Sequence, residues 1–225
     1  AGGFDLHKGV CTPPKRTFSS VFGSHMCALA LENPKIAAVT AAMDKGTGLT
    51  NFKHIFPDRF FDMGIAEEAV ATFTAGLAIG GSVPVHAVYS TFLQRAFDQL
   101  CEDIAMQGIH AVIAIDRAGI VPGDGITHQG VYDVSLLSSI PGVTLYAPET
   151  YEELKTCLDR CISGEGLCAL RYPKGEEADY DRTQFLPAGA DIAATDGSRK
   201  ADAVILTYGR LTRHAALAAA QLTDQ

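Results

Sequence analysis

The stretch "FFDMGIAEEAVATFTAGLAIGG", residues 60–81, carries a strand pattern and a helix pattern separated by a glycine turn. Its two leading phenylalanines are strand-like, and the helix predicted over 67–80 begins with two adjacent carboxylates, Glu67 and Glu68. The rest of that helix is almost wholly apolar. Acids in a first turn interact favourably with the helix dipole, which accounts for one of the two. The second acid is not explained in this way, so a chemical role for it, where the buried helix begins, stays open.

The same alternation of short apolar strands and helices continues on both sides of this stretch. Helices are predicted over 19–33, 51–57, 91–107, 132–138 and 150–163, and strands over 35–43, 84–89, 111–115, 143–146 and 168–171. Such alternation favours parallel strands that are covered by helices on both faces. We therefore predict an α/β fold, a three-layer sandwich around a mostly parallel sheet.

The ends of the chain differ in character from its centre. Residues 1–16 contain two consecutive prolines and are predicted to be irregular, residues 17–175 form the main domain, and residues 176–200 are polar, acidic and rich in Pro and Gly, as a linker is. Residues 201–225 have the pattern of one strand followed by one helix. These two elements alone cannot bury their apolar faces. We therefore expect 201–225 to begin a second α/β domain that continues beyond this sequence, and further chain to precede residue 1.

Charge and hydropathy exclude several classes of function. The 225 residues carry 18 basic and 26 acidic side chains, a net charge of −8, and the basic residues are not clustered, which argues against nucleic-acid binding. No apolar run reaches the roughly 18 residues of a membrane span. The first residues have no apolar core followed by a cleavage site, so we expect no signal peptide.

The cysteines indicate a reducing compartment. Cys11, Cys27, Cys101, Cys157, Cys161 and Cys168 include no CxxC pair. Cys157 and Cys161 lie four residues apart on a predicted helix, but no partner motif for a metal site is near them. We expect reduced, mostly buried thiols in a cytosolic protein.

Aromatic and basic side chains recur at a spacing of three in "VYSTFLQRAFDQLCEDIAMQG". Tyr89, Phe92 and Arg95 fall on roughly one face of the predicted turn and helix. An aromatic stripe of this kind is more often core than cofactor site. The arginine favours a site, because a guanidinium is rarely buried without a partner.

The loop "DRAGIVPGDGITHQG", residues 116–130, is the densest group of polar side chains. It follows a predicted buried strand, at the carboxyl end where open α/β sheets bind ligands, and it contains Arg117, Asp124 and His128. A structural alternative is that His128 caps a turn while Arg117 pairs with Asp116. The segment "LRYPKG" places Arg171 and Lys174 after another strand. Because these loops all follow strand ends, we expect one shared site.

Four segments together resemble a known family. "FPDRFFDMGIAEE", "YSTFLQRAFDQ", "DRAGIVPGDGITHQG" and "RYPKG" are similar to the central, pyrimidine-binding domain of the 1-deoxy-D-xylulose-5-phosphate synthase family, thiamin-diphosphate enzymes of the transketolase superfamily. The resemblance covers roughly residues 14–175, and residues 201–225 resemble more weakly the start of that family's C-terminal domain. The motifs are specific in this order and spacing. They imply the thiamin-diphosphate-binding, transketolase pyrimidine-domain fold.

The resemblance implies a role for each candidate residue. A glutamate at the place of Glu67 hydrogen-bonds N1′ of the cofactor's aminopyrimidine and so helps the cofactor to lose its C2 proton. Phe92 is implied to stack on the pyrimidine, with Tyr89 and Arg95 shaping the pocket. The resemblance also implies that Asp124 and His128 are a polar pair near the reacting carbon, where His128 moves protons or binds substrate. It implies that Arg117 and Arg171 hold the phosphate of the acceptor.

The reaction implied is decarboxylation of pyruvate and transfer of its two-carbon unit to D-glyceraldehyde 3-phosphate. That product feeds isoprenoid precursors, thiamin and pyridoxal. The resemblance further implies a homodimer, in bacterial cytoplasm or, for a plant protein, in a plastid. Two alternatives remain open: the C-terminal half of a split transketolase or another transketolase-like enzyme, and a non-catalytic domain that has kept the fold.

The sequence departs from the family pattern in a few places. Ala69 stands where the family commonly has a histidine, and Pro122 lies within the glycine-rich loop. "GDG" occurs at 123–125, but the asparagine of a diphosphate and Mg²⁺ motif does not follow it, since the chain's asparagines are Asn33 and Asn51. We therefore expect no metal ligands in this chain. Mg²⁺ and the diphosphate would be bound by an N-terminal domain absent from it or by another chain, and the chain alone is expected to be inactive.

Overall fold

A computed structural model describes residues 4–5, 9–10, 15–180 and 205–223. Its centre is a six-stranded sheet in the order β4-β3-β5-β6-β8-β7, and every neighbouring pair in it is parallel. The strands of this sheet are β3 (Ile36–Thr40), β4 (Phe60–Asp62), β5 (Val83–Tyr89), β6 (Ala111–Asp116), β7 (Thr144–Tyr146) and β8 (Leu167–Arg171). A separate antiparallel pair joins β1 (Phe4–Asp5) to β2 (Gly9–Val10), within the segment predicted to be irregular.

Helices cover both faces of the sheet, which confirms the predicted α/β sandwich. The helices are α1 (Phe18–Glu32), α2 (Thr50–Ile55), α3 (Glu67–Ile79), α4 (Ser90–Leu93), α5 (Phe97–Gln99), α6 (Asp133–Ser138), α7 (Tyr151–Ser163) and α8 (Thr212–Thr223). One apolar core lies between the sheet and α1, α2 and α7. A second lies between the opposite face and α3 to α6.

Local sequence explains where several elements begin. Thr17 caps α1, since its hydroxyl accepts from the Ser20 amide at 3.2 Å while the Ser20 hydroxyl accepts from the Thr17 amide at 2.8 Å. Thr150 caps α7 in the same way through the Glu153 amide. Strand β3 is buried along its whole length, as expected for a strand covered on both faces.

Two predicted elements differ from those observed. The helix predicted over 91–107 is divided into α4, a 3₁₀ turn at Gln94–Ala96, α5 and a π-helical segment at Leu100–Ala105. The strand predicted near the start of 201–225 is absent from residues 205–208, although the helix after it is present as α8. Residues 181–200, most of the predicted linker, lie outside the described residues.

The order of the strands determines where a ligand can bind. From β3 the chain passes through α2 to β4 on one side, and then returns through α3, on the opposite face, to β5 on the other side. Ligands of open α/β sheets bind at such a switch, outside the carboxyl ends of the strands. All six strands are parallel, so their carboxyl ends share one edge.

The described residues also bear on the membrane and thiol predictions. No helix within 15–180 or 205–223 has both the length and the apolar composition needed to cross a bilayer. Five of the six cysteines fall in this part of the chain, and all five are free thiols. Burial raises the pKa of the Cys161 thiol well above its ordinary value, which makes this thiol unreactive. Cys11 lies outside the described residues.

His86 is a polar group inside the core. It lies in β5 with no exposed surface, and neither ring nitrogen has a hydrogen-bond partner among the described residues. Burial lowers its pKa from 6.5 to about 4, because the charged imidazolium is poorly solvated there. The folded protein therefore holds His86 neutral.

We expect the wild-type free energy of unfolding to fall, relative to His86→Leu, as the pH drops from about 6.5 to about 4. In that window His86 is protonated in the unfolded chain and neutral in the folded one. This difference lowers the free energy of unfolding by roughly 3 kcal/mol. Urea unfolding near neutral pH and near pH 4 measures the difference between the two proteins. Comparing the two removes the opposite contribution of Asp116, whose pKa is raised to about 7. A pH-independent difference contradicts this expectation.

Candidate active site

The predicted site residues meet at the carboxyl edge of the sheet. Glu67 is the first residue of α3, after β4, and Tyr89 ends β5. Arg117 follows β6, and Arg171 ends β8. Contacts between these connections, described below, show that they form one continuous surface.

Glu67 is buried where α3 begins. Its side chain is 3% exposed, and its Oε1 accepts a hydrogen bond from Arg95 Nη1 at 3.0 Å. The adjacent Glu68 is exposed to solvent. The two acids of the same helical turn therefore differ in environment, and only Glu67 lies with the other candidate residues. Arg95 remains 48% exposed, so the pair faces the open side of the site.

An aromatic cluster lies beside this pair. The rings of Tyr89 and Phe92 are stacked with centroids 5.9 Å apart, and the His128 ring meets Phe92 edge-on at 5.4 Å. The Arg95 guanidinium lies 4.9 Å from the Phe92 centroid. Tyr89 extends over Gly46, where a Cβ would come within 1.5 Å of the tyrosine hydroxyl. A side chain at Gly46 would therefore displace Tyr89.

Arg117 adopts a left-handed backbone conformation, with φ of 59°. Its guanidinium lies 3.9 Å from the Tyr89 ring centroid and donates from Nη1 to Asp124 Oδ2 at 2.6 Å. The Lys174 ammonium donates to the other oxygen of the same carboxylate. These two positive groups lower the pKa of Asp124, although its burial acts in the opposite direction. Asp124 thus holds the Arg117 guanidinium and the Lys174 ammonium side by side.

Asp124 and His128, the two polar residues that the resemblance implies near the reacting carbon, have different hydrogen-bond partners in the described contacts. Asp124 bonds to Arg117 and Lys174, whereas His128 Nδ1 lies 2.8 Å from the Thr127 hydroxyl. The backbone of Thr127 is held in turn by the Thr91 hydroxyl, at 3.1 Å. His128 and Asp124 therefore belong to adjoining parts of the site. The structural alternative was a side-chain pair between Arg117 and Asp116. The Arg117 guanidinium pairs with Asp124 instead.

Arg171 is engaged by a residue that the sequence reasoning missed. Its Nε donates to Asp133 Oδ2 at 2.7 Å and its Nη2 to Oδ1 at 3.3 Å. The Asp133 side chain has no exposed surface, and Arg171 is 13% exposed. Such a two-point pair fixes the guanidinium plane. The Nη1 nitrogen lies outside the pair and is one part of Arg171 that could meet a ligand.

Asp116, at the end of β6, is fully buried beside Arg117. No described donor forms a hydrogen bond of normal geometry with either carboxylate oxygen. Burial raises its pKa to about 7, although nearby Ser19 and the charges of Arg117 and Lys174 act to lower it. A carboxyl group in this state is partly protonated near neutral pH. The sequence alone gives no functional role to Lys174 or Asp116, and Asp133 carries no signal in it beyond its place in a predicted helix.

The candidate site is an open surface and not an enclosed pocket. A cleft of about 580 Å³ lies between Lys15, Glu176 and the start of α8, and its lining includes none of the predicted site residues. Arg95 and Lys174, by contrast, are each almost half exposed.

Comparison with known proteins agrees with this geometry. The family model for the transketolase pyrimidine-binding domain matches residues 15–178, the segment that contains all of the site residues described above. This chain belongs to the transketolase pyrimidine-binding domain family. Glu67, Phe92 and Arg95 lie within the matched segment of this pyrimidine-binding domain.

Curated relatives of this pyrimidine-binding domain include several 1-deoxy-D-xylulose-5-phosphate synthases. The chain is 46% identical to the 1-deoxy-D-xylulose-5-phosphate synthase of Symbiobacterium thermophilum, over 100% of the chain and 34% of that protein. It is 44% identical to 1-deoxy-D-xylulose-5-phosphate synthase 1 of Geobacter sulfurreducens, over 100% of the chain and 36% of that protein. The chain thus spans about a third of the length of these relatives.

Solved structures support the fold. A chain described as a split gene transketolase, inactive β4 tetramer, aligns with a TM-score of 0.64 and 28% identity, covering 77% of this chain and 55% of that one. Transketolase from Leishmania mexicana aligns with a TM-score of 0.65 and 18% identity, covering 73% of this chain and 27% of that one. The second likeness concerns the fold alone.

The residues present fit one end of the cofactor that the family implies. A planar heteroaromatic ring needs a hydrogen-bonding group at its edge and an apolar or aromatic face. Glu67 supplies a buried carboxylate, and Phe92, which contacts the same Arg95 guanidinium, supplies an aromatic face. Within the described residues, no group of three His, Cys, Asp or Glu side chains is placed to hold a metal ion. The fit therefore concerns the pyrimidine end of the cofactor.

Proposed function

We propose that this chain is the pyrimidine-binding part of a 1-deoxy-D-xylulose-5-phosphate synthase, which condenses pyruvate with D-glyceraldehyde 3-phosphate with loss of CO₂. The observation that carries the proposal is the buried Glu67 carboxylate at the start of α3, beside Arg95 and Phe92. Similarity over the whole chain to synthases of that name supports the choice of reaction.

Glu67 is proposed to bind the aminopyrimidine of thiamin diphosphate at N1′. When bound, the cofactor supplies an electron sink for the carbon left by decarboxylation. Burial of the Glu67 side chain keeps water from competing for its oxygens, and Arg95 fixes its direction. Phe92 is proposed to offer a ring face to the pyrimidine, and the Tyr89 ring stacks against Phe92.

The basic part of the site is proposed to hold the phosphorylated acceptor. Arg117 presents a guanidinium that is fixed by Asp124 and by the Tyr89 ring, and Lys174 lies on the same carboxylate. A fork of fixed donors suits a phosphate group. His128, placed between Phe92 and Thr127, is proposed to move a proton or bind substrate. Arg171 would contribute through the N–H groups that its pair with Asp133 leaves unused, those of Nη1 among them.

The chain alone is proposed to be inactive. Mg²⁺ and the diphosphate would be bound by the N-terminal domain, and the open site is consistent with a partner surface supplied by that domain or by a second subunit of a homodimer. The relative described as an inactive β4 tetramer of a split gene transketolase is a precedent for an isolated part without activity.

Assay of the complete gene product with thiamin diphosphate and Mg²⁺ tests the proposal. Pyruvate should be consumed with release of CO₂, and much faster when D-glyceraldehyde 3-phosphate is present. A protein that ignores pyruvate but transfers two carbons from ketose phosphates would contradict it. That outcome would support the second candidate, the C-terminal half of a split transketolase, which the structural likeness at 28% identity favours.

Arg117→Ala in the complete gene product should raise the KM for the triose phosphate by about tenfold or more, because a fixed phosphate donor is lost. We expect Arg117→Lys to be intermediate, since it keeps the charge and loses the fork. Steady-state kinetics with varied acceptor measures this. Arg160→Ala is the control, because this exposed arginine lies in the last turn of α7, at the opposite edge of the sheet. An unchanged KM in Arg117→Ala would remove Arg117 from the phosphate site.

A further inference from the structure

Glu67 is reached from β4 through a short connection, residues 62–66, that has few ties to the rest of the domain. Met63 and Ile65 in it are exposed by 38% and 80%. The helix begins after Ala66, whose methyl side chain cannot accept a capping hydrogen bond. Besides the bond from Arg95, contacts earlier in the connection therefore help to set the position of Glu67.

Asp62, the last residue of β4, makes two such contacts. Its Oδ1 accepts from the amide of Ala42 at 2.7 Å and from the amide of Gly64 at 3.1 Å. Gly64 begins the turn toward α3, with φ of 73°, whereas Ala42 follows β3, the strand paired with β4. One carboxylate oxygen thus joins the exit of β3 to the exit of β4.

Ala42 shows that this junction is held under strain. Its φ of 58° is left-handed, a conformation that costs about 1 kcal/mol or more for a residue with a Cβ. The charge-assisted bond from its amide to Asp62 offsets that cost. A backbone bond from the Met63 amide to the Thr40 carbonyl, 3.1 Å, lies beside it. The strained residue and its partner lie at the strand exits, next to the connection that carries Glu67.

We propose that Asp62 is a positioning residue for Glu67: by fastening the connection before α3 to the exit of β3, it sets the place of the carboxylate that meets the cofactor. Asp62 itself touches no reacting atom in this arrangement. The proposal rests on the function proposed above, because the place of Glu67 matters only if Glu67 binds the cofactor.

The test compares Asp62→Ala with Asp62→Asn in the complete gene product. Asparagine keeps an oxygen at the same place, and alanine removes it. Asp58→Ala is the matched control, since Asp58 is an exposed aspartate in the 3₁₀ turn Pro57–Arg59, just before β4. Hydrogen–deuterium exchange of the cofactor-free protein reports the connection directly. Calorimetry with thiamin diphosphate and Mg²⁺ reports affinity, and kcat is measured at saturating cofactor.

We expect Asp62→Ala to speed exchange in peptides that cover 62–70, to weaken cofactor binding by about tenfold and to lower kcat by about tenfold, corresponding to the loss of one charge-assisted hydrogen bond. Asp62→Asn should restore most of each property, and Asp58→Ala should match wild type. Unchanged exchange and affinity in Asp62→Ala would overturn the proposal. Faster exchange spread over the whole domain would overturn it too, because Asp62 would then be a general stabilising residue.

Glu67→Gln separates failure of this inference from failure of the proposed function. If Glu67→Gln loses activity while Asp62→Ala keeps wild-type exchange and affinity, only the positioning role is wrong. If Glu67→Gln is as active as wild type, the proposed function of Glu67 fails, and with it the reason for positioning it.

Discussion

Glu67→Gln should lower kcat for pyruvate consumption by the complete gene product by about a hundredfold or more, the usual contribution of a group that takes part in proton transfer. The amide keeps the size of the side chain but cannot accept a proton as a carboxylate does. Glu67 is buried and bonded to Arg95, so solvent cannot replace the missing group. Rates at saturating pyruvate, acceptor, thiamin diphosphate and Mg²⁺ measure the effect.

Glu68→Gln is the control for that experiment. Both acids lie in the first turn of α3, and a carboxylate at either position interacts favourably with the helix dipole. Glu68 is exposed, however, and lies outside the site. If the acids served only the helix, the two variants would behave alike. Equal activities of Glu67→Gln and Glu68→Gln would therefore contradict a catalytic Glu67.

Asp133→Ala should destabilise the domain by about 3 kcal/mol or more, because it leaves the largely buried Arg171 without its carboxylate. The pair joins the start of α6 to the end of β8 at two points. Native-state hydrogen exchange of β6 and β8 in the complete gene product gives the free energy of opening. Arg171→Ala should show a similar loss, since it strands the fully buried Asp133.

Glu152→Ala provides the contrast for the buried pair. Glu152 accepts from Lys155 at 2.6 Å on the surface of α7, with 78% of its side chain exposed, and exposed pairs contribute little. We expect no measurable change in opening. If Asp133→Ala were equally silent while Arg171→Ala weakened acceptor binding, Arg171 would act on the ligand and not on the fold.

Sequence patterns were sufficient for the layers of the fold and for the edge that carries the site. Apolar runs such as β3 and β6 are buried along their whole length, and this is the pattern from which parallel strands were predicted. Because parallel strands end at one edge, the loops that follow them had to meet. The contacts of Glu67 with Arg95, and of Phe92 with His128, show that they do.

The division of the helix after β5 could not be predicted from local sequence. The segment 91–107 contains no proline or glycine, so propensity favours one continuous helix. The structure instead has a 3₁₀ turn at Gln94–Ala96, and this turn contains the arginine that reaches Glu67. Tertiary contacts of this kind override helix propensity. They cannot be predicted from the spacing of residues within the segment, because they involve residues elsewhere in the chain.

Partners that are distant in the sequence were also beyond prediction. Arg171 lies 38 residues from Asp133, and Lys174 lies 50 residues from Asp124. Nothing in the composition of either segment marks the other as its partner. The same holds for Asp62 and Ala42, which meet because β3 and β4 are neighbours in the sheet.

A crystal structure of the complete gene product with thiamin diphosphate and Mg²⁺ tests the central proposal most directly. We expect the Glu67 carboxylate within hydrogen-bond distance of N1′ of the pyrimidine, the Phe92 ring against its face, and the diphosphate and Mg²⁺ held by residues outside 1–225. A cofactor bound elsewhere, with Glu67 still paired only to Arg95, would contradict the assignment of this surface as the pyrimidine site.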